Sequence, residues 1–236
     1  MYKEKTFLAV IPARIGSKRL AKKNILDLSG KPLVAWTIES AVKSKYLDEV
    51  VVSTDSEDVA LVAKKYGAKV PFLRPLEFST DTASTYSVAK HCIDFYDKEL
   101  RKKFDYIILL QPTSPLRKHN EIDNAIEYLI KKQADAVISV TEVDHSPMWV
   151  NTLPSSLSMK NFTNEKKLNN RSQDIEKFYR PNGSIYIVDM KMLKKYESFY
   201  IKENIYAYIM DRMTSIDIDD LIDFKLVEVL VDEFGL

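Results

Sequence analysis

Phe7-Leu8-Ala9-Val10-Ile11 is an uninterrupted apolar run, and a loop rich in Lys and Arg follows it at once. Five apolar residues without alternation suit a strand covered on both faces, as in parallel sheets flanked by helices. The chain then repeats the pattern this strand requires. Leu33 to Val42 reads as an amphipathic helix opened by Pro32, Glu49 to Ser53 as a strand, and Glu57 to Tyr66 as a helix closed by Gly67. Ala68 to Phe72 reads as a short strand, Ser84 to Phe95 as a helix, and Tyr106 to Leu110 as a second buried strand. Glu121 to Lys132 is helical in pattern and Ala134 to Val140 extended. Such alternation predicts an α/β fold with a mainly parallel, doubly wound sheet, whose ligands sit beyond the carboxyl ends of the strands.

The character changes after Val143. Residues 144–174 are polar, without clear periodicity, yet carry Trp149 and Phe162, with Phe178 and Tyr179 just beyond. They read as an inserted arm rather than a linker. Ser184 to Val188 resumes as a strand, Lys191 to Tyr196 as a short helix, Tyr206 to Met210 as a strand and Asp219 to Phe234 as a helix. The domain reading is therefore 1–143 with 201–236 as one α/β unit, and 144–200 as an inserted subdomain.

Composition excludes several classes. A formal net charge of +1, with no basic stripe interleaved with aromatics, argues against nucleic acid as a partner. No apolar run approaches the length of a membrane span, and the apolar stretch near the N-terminus is too short for a signal peptide. A single cysteine, Cys92, permits no intramolecular disulfide, so a cytoplasmic protein is expected. His91, His119 and His145 lack partners at metal-ligand spacing, which argues against zinc. Cys92 and His91 fall within a helix and read as packing residues.

Four segments could carry chemistry. Arg14, Lys18, Arg19, Lys22 and Lys23 place five cations within ten residues, and Gly16-Ser17 lets the backbone turn N–H groups toward an anion. A triphosphate attacked at its α-phosphorus needs cations on the departing pyrophosphate. By charge alone a solvated loop explains the segment equally well. The loop has neither a Walker A nor a dinucleotide-binding glycine pattern, which counts against a kinase or dehydrogenase. Ser215-Ile216-Asp217-Ile218-Asp219-Asp220, read as a strand, puts Asp217 and Asp219 on one side, roughly 6–7 Å apart. Magnesium accepts one or two carboxylates with phosphate oxygens. An amphipathic surface strand ending in a helix cap fits those residues as well. Gln111-Pro112-Thr113-Ser114-Pro115-Leu116-Arg117 is a stiff turn straight after a buried strand, and Tyr179-Arg180-Pro181-Asn182-Gly183-Ser184-Ile185-Tyr186 leads into another. Each alone could be an ordinary turn.

Together and in order these segments resemble the CMP-sialic acid synthetases, the acylneuraminate cytidylyltransferases, a group that includes CMP-legionaminic acid synthetases. Ile11-Pro12-Ala13-Arg14, Gly16-Ser17-Lys18, Lys23-Asn24, Ser53-Thr54-Asp55, Arg74-Pro75, Asp81-Thr82-Ala83-Ser84, Gln111–Arg117, Arg180–Tyr186 and Asp217-Ile218-Asp219 carry the resemblance over essentially the whole chain. It implies a Rossmann-like nucleotidyltransferase fold and a homodimer whose arms reach into each other's active sites. It also implies transfer of CMP from CTP to the anomeric hydroxyl of a nonulosonic acid, N-acetylneuraminic or legionaminic, with Mg²⁺ or Mn²⁺. By the same resemblance Arg14, Ser17, Lys18, Lys23, Asn24, Arg74, Ser84 and Thr85 bind the nucleotide. Asp217 and Asp219 hold the metal and, with Arg14 and Lys23, are catalytic. Gln111, Tyr186, Trp149, Arg171 and Gln173 contact the sugar, with Phe199 and Tyr200 supplied by the partner subunit. Arg19 and Lys22 are expected to be peripheral.

Three departures stand out. Arg171-Ser172-Gln173 replaces an adjacent Arg-Gln pair, His145-Ser146-Pro147-Met148-Trp149 puts a Trp where several members carry Lys, and Ile15 stands where Gly is common. The Trp suggests a differently decorated sugar, as in relatives acting on legionaminic acid. Enzymes for pseudaminic acid or the eight-carbon acid KDO, and a non-catalytic nucleotide-binding module, are the alternatives.

Overall fold

In the computed structural model residues 1–160, 162 and 176–235 are described, so Arg171 and Gln173 lie outside the described residues. The apolar run becomes strand β1, Phe7–Pro12. A small hairpin, β2 Asp27–Leu28 with β3 Lys31–Pro32, leads into helix α1, Leu33–Val42. Strand β4 covers Glu49–Ser53 and α2 Glu57–Lys65, while α3 covers Thr85–Lys98 and β5 Tyr106–Leu110. Helix α4, His119–Lys132, precedes β6, Ala136–Glu142. Strand β7 spans Tyr179–Asp189, α5 Met190–Tyr196, β8 Ile205–Ile209 and α6 Leu221–Phe234.

Six strands form one sheet in the order β4-β1-β5-β7-β6-β8. Neighbours pair in parallel except at β7, which runs antiparallel to both β5 and β6. Side chains of β1 alternate between two cores. Phe7, Ala9 and Ile11 meet Val34 and Ile38 of α1 and Ile126 of α4, while Leu8 and Val10 meet Ala89, Cys92 and Tyr96 of α3. Both faces are covered, which is why the run is apolar without alternation.

The chain leaves β1 toward β4 on one side and returns to β5 on the other. A crevice therefore opens between the carboxyl ends of β1 and β5, where strand order reverses. Antiparallel β7 delivers the start of its strand to the same end, since Ile185 pairs with Leu110.

Three expectations need correction. Ala68 to Phe72 is not a strand; a single bridge joins Lys69 to Val51. The stretch 216–219 is irregular rather than a strand, because its hydrogen bonds go to loop partners instead of a sheet. Residues 179–189, read as part of the 144–200 insertion, form a strand between β5 and β6, which narrows any insertion to residues before Tyr179.

Candidate active site

The loop after β1 is held at its start by Ser53 and Asp55, at and after the end of β4, and at its end by its own hydrogen bonds. Ala13 N donates to Ser53 O and Ile15 N to the Asp55 carboxylate at 2.9 Å. The Ser53-Thr54-Asp55 motif thus shapes the loop. Asn24, buried, donates through Nδ2 to Arg14 O at 2.8 Å and fixes the loop's far end. The result is an open crevice of about 540 Å³ lined by Arg14, Ser17, Lys18, Arg19, Lys23 and Asn24 on one wall. Asp81, Thr85, Gln111, Thr113 and Asp219 face them.

The cations already have partners within the chain. Arg14 and Lys18 each reach the Asp81 carboxylate at 2.7 Å, and Arg19 reaches Asp219 at 2.7 Å. Lys23 Nζ donates to Ile218 O at 2.5 Å. Burial lowers the Lys23 pKa, while the nearby carboxylates of Asp217 and Asp219 pull the other way.

The 216–220 segment is pinned by Ile218, whose side chain enters the core beside α6 and whose N–H donates to Thr113 O at 2.8 Å. This leaves Asp219 exposed on the crevice and Asp217 half-buried behind it. Asp217 Oδ1 is buried without a hydrogen-bond partner. Burial holds the Asp217 carboxyl above its usual range, with Asp219 adding to the effect and Thr113 and Lys23 opposing it. The turn before the pair is set by Asn182. Its Oδ1 accepts from Ser139 Oγ at 2.5 Å and Ser184 N at 3.1 Å, and its Nδ2 donates to Ser215 Oγ at 2.8 Å. Gly183 follows with φ +77°, and a Cβ there would come within 2.9 Å of Gln111 Oε1 and 4.0 Å of Asp217 Oδ2. The positive φ favours glycine here, and a Cβ would push the Gln111 amide aside.

A second cavity, of about 250 Å³, adjoins the first. Tyr186, Phe199, Tyr200 and Leu109 give it apolar walls, with Ser84, Tyr86 and Glu197 at its edge. Tyr186 is edge-on to Phe199 at 6.1 Å and to Tyr200 at 6.0 Å. Burial and the neighbouring Tyr200 hold the Tyr186 phenol above its ordinary pKa. Gln111 and Thr85 line both cavities, so the two meet there. Thr85 opens α3, which places the positive end of that helix dipole at the junction.

A family model described as Cytidylyltransferase matches residues 8–233. The chain belongs to the cytidylyltransferase family. It is 39% identical to the CMP-N,N'-diacetyllegionaminic acid synthase of Legionella pneumophila, over 95% of this chain and 96% of that protein. The Escherichia coli N-acylneuraminate cytidylyltransferase is 38% identical over 93% of this chain, which spans 50% of that longer protein. The Campylobacter jejuni pseudaminic acid cytidylyltransferase is 34% identical over 94% of this chain and 95% of its own length. Among solved structures, CMP:2-keto-3-deoxy-manno-octonic acid synthetase complexed with CTP superposes with a TM-score of 0.72 at 18% identity. That match covers 97% of this chain and 99% of the other, and speaks for the fold.

Seen as a cytidylyltransferase site, the residues sort differently from the sequence reading. Arg14, Ser17, Lys18, Lys23, Asn24, Thr85, Gln111 and Asp219 converge on the larger cavity. Phe199 and Tyr200 line the smaller one beside Tyr186 of their own chain. Arg19 is not peripheral, since it faces the crevice and pairs with Asp219. Ser84 caps α3, accepting from Ser87 N at 3.0 Å. Arg74 lies buried behind the crevice wall, with Nε and Nη2 unpartnered and its pKa lowered by burial. Trp149 sits in a short 3-10 turn and lines neither cavity of this chain.

Sequence reasoning missed Asp81, Asp55 and Arg117 as individual residues. Buried Arg117 donates to Ser184 O at 2.7 Å and Gln111 O at 3.4 Å, locking the turn after β5 to β7. The motifs contained all three, but a carboxylate that serves another residue of its own chain has no distinguishing spacing. Cys92 and His91 are packing groups, as expected. The buried Cys92 thiol is pushed up to about 12, and His91 packs edge-on to Phe72 at 4.5 Å with its pKa lowered by burial.

Proposed function

We propose that the chain transfers CMP from CTP to the anomeric hydroxyl of a nonulosonic acid, releasing pyrophosphate. The meeting of a cation-lined crevice with an aromatic cavity at Gln111 and Thr85 carries this reading. The triphosphate suits the first compartment, where Arg14, Lys18, Arg19 and Lys23 can take over its negative charge. The sugar suits the second, its acyl groups against Tyr186 and Phe199. The anomeric oxygen bonds to the α-phosphorus, its proton passing to solvent, as the bond from that phosphorus to the β-phosphate bridging oxygen breaks. The departing pyrophosphate is where charge accumulates, and the loop cations stabilise it.

Asp217 and Asp219 fit a hard divalent cation, Mg²⁺ or Mn²⁺. Asp217 Oδ1 is a buried acceptor with no partner, and Asp219 is displayed on the crevice. Among the described residues no group of three or more His, Cys, Asp or Glu could hold a metal ion, so phosphate oxygens and water would complete the shell. When bound, the ion would neutralise phosphate charge and acidify an oxygen close to it.

Legionaminic acid is favoured over N-acetylneuraminic acid by Trp149, whose indole would meet the sugar from the partner subunit of a homodimer. Val150, Leu153, Leu157 and Met159 are all more than half exposed in the single chain, a surface that suits such a partner. No helix among the described residues is long and apolar enough to cross a membrane. A cytoplasmic location belongs to the same reading.

Asp219→Asn tests the assignment: turnover should fall about 10²-fold or more, with an unchanged fold by circular dichroism. Near-normal turnover would remove Asp219 from the chemistry. Reaction with UTP or ATP but not CTP would overturn the base assignment.

A further inference from the structure

Every crevice cation of the loop is engaged by an oxygen of the chain itself, and Asp81 engages two of them. Its Oδ1 lies 2.7 Å from Arg14 Nη1 and its Oδ2 2.7 Å from Lys18 Nζ. The two oxygens of one carboxylate thus span the two cations as a phosphate group would. Asp81 belongs to the opposite wall, in the turn just before Ser84 and Thr85 at the head of α3. Arg14 also approaches Ser79 O at 3.5 Å, in that same turn. The contact therefore ties the loop after β1 to the start of α3 across the mouth of the crevice.

We propose that Asp81 is a positioning residue that occupies the phosphate-binding cations until the nucleotide triphosphate displaces it. This rests on the reading of the crevice as the CTP site. Three consequences follow from the geometry. The carboxylate holds Arg14 and Lys18 extended into the crevice, so ordering these long side chains does not oppose nucleotide binding in full. It also competes with the phosphates, since one set of guanidinium and ammonium donors cannot serve both at full strength. And because it bridges the walls, its release opens the mouth through which the nucleotide enters. The partners are partly exposed, Asp81 at 43% and Lys18 at 75%, so the competition is modest in size.

Asp81→Asn keeps the shape and removes the charge. CTP binding to the full chain, by calorimetry at low salt, should tighten by about three- to tenfold, as expected for losing two exposed ion pairs. The association rate, by stopped flow, should rise, and the gain should shrink as salt is added. Asp81→Glu, which restores the carboxylate, should bind within about twofold of the parent protein. A merely structural role would lower the melting temperature without tightening CTP binding. Unchanged or weaker binding by folded Asp81→Asn overturns the inference while leaving the CTP site standing. Failure of the parent protein itself to bind CTP overturns the functional reading instead.

Discussion

Asp217 shows most directly how the site trades stability for chemistry. Its carboxyl is held above the ordinary 3.8 chiefly by burial, so the folded protein binds that proton more tightly than the unfolded chain does. Stability then falls as pH rises from about 3.8 through the raised value, because there the folded state carries the extra proton. Above that window an ionised Asp217 is a standing cost. Asp217→Asn should therefore melt at a higher temperature than the parent at neutral pH and at nearly the same temperature below pH 3.8. The same change should abolish measurable turnover. A variant less stable at neutral pH would show that Asp217 is satisfied in the fold. Gly183 makes the complementary case. With φ at +77° and Gln111 Oε1 2.9 Å from where a Cβ would stand, Gly183→Ala is expected to cost about 1–2 kcal/mol in denaturant unfolding. It should also displace Gln111 and raise KM for the sugar about tenfold, with less effect on KM for CTP. A rise in KM for CTP with KM for the sugar unchanged would place Gln111 outside the acceptor cavity.

At the scale of elements, legibility followed burial. α1, β4 and β5 fall where apolar periodicity and their flanking residues put them, because each meets the core on a regular face. The stretch around Lys69 had the composition of a strand but has one bridge to Val51 and no ladder, a tertiary fact that no local pattern encodes. The Asp217–Asp219 pair was found by alternation and is real as an alternation of exposure, with Ile218 buried between the two. Its backbone is nevertheless tied to Thr113, 105 positions earlier in the sequence, rather than to a strand. Strand β7 was read short because Arg180, Pro181 and Asn182 look like a turn, yet Arg180 pairs with Thr141 and Pro181 with Val140, beside a register shift in the ladder. Asn182 explains the motif, since it links β6, β7 and the turn before Asp217. Asn182→Ala should lower stability by about 1–3 kcal/mol, because the buried Ser139 hydroxyl and Ser184 N–H lose the oxygen that accepts from them. Turnover should fall with it, because the carboxylate pair loses its support. A melting temperature equal to the parent's would contradict that role.

For the whole molecule, the strand order creates the crevice and the antiparallel β7 brings the acceptor cavity beside it. The candidate site was legible as a set of motifs in register, but which cation pairs with which acid was not, since those contacts join distant segments. The exposed apolar side chains at 150–159 predict that sedimentation at micromolar concentration gives twice the mass of one chain. A monomer would return Trp149 to the solvent and remove it from the sugar. The central claim concerns the junction at Gln111 and Thr85. Its test is pyrophosphate release by the purified chain with CTP, Mg²⁺ and a panel of nonulosonic acids that includes 5-acetamido and 5,7-diacetamido sugars. The account predicts release that depends on CTP, on the divalent ion and on the acid, and the Trp149 reading adds that it is fastest with a diacetamido sugar. No release with any acid in the panel would contradict the account.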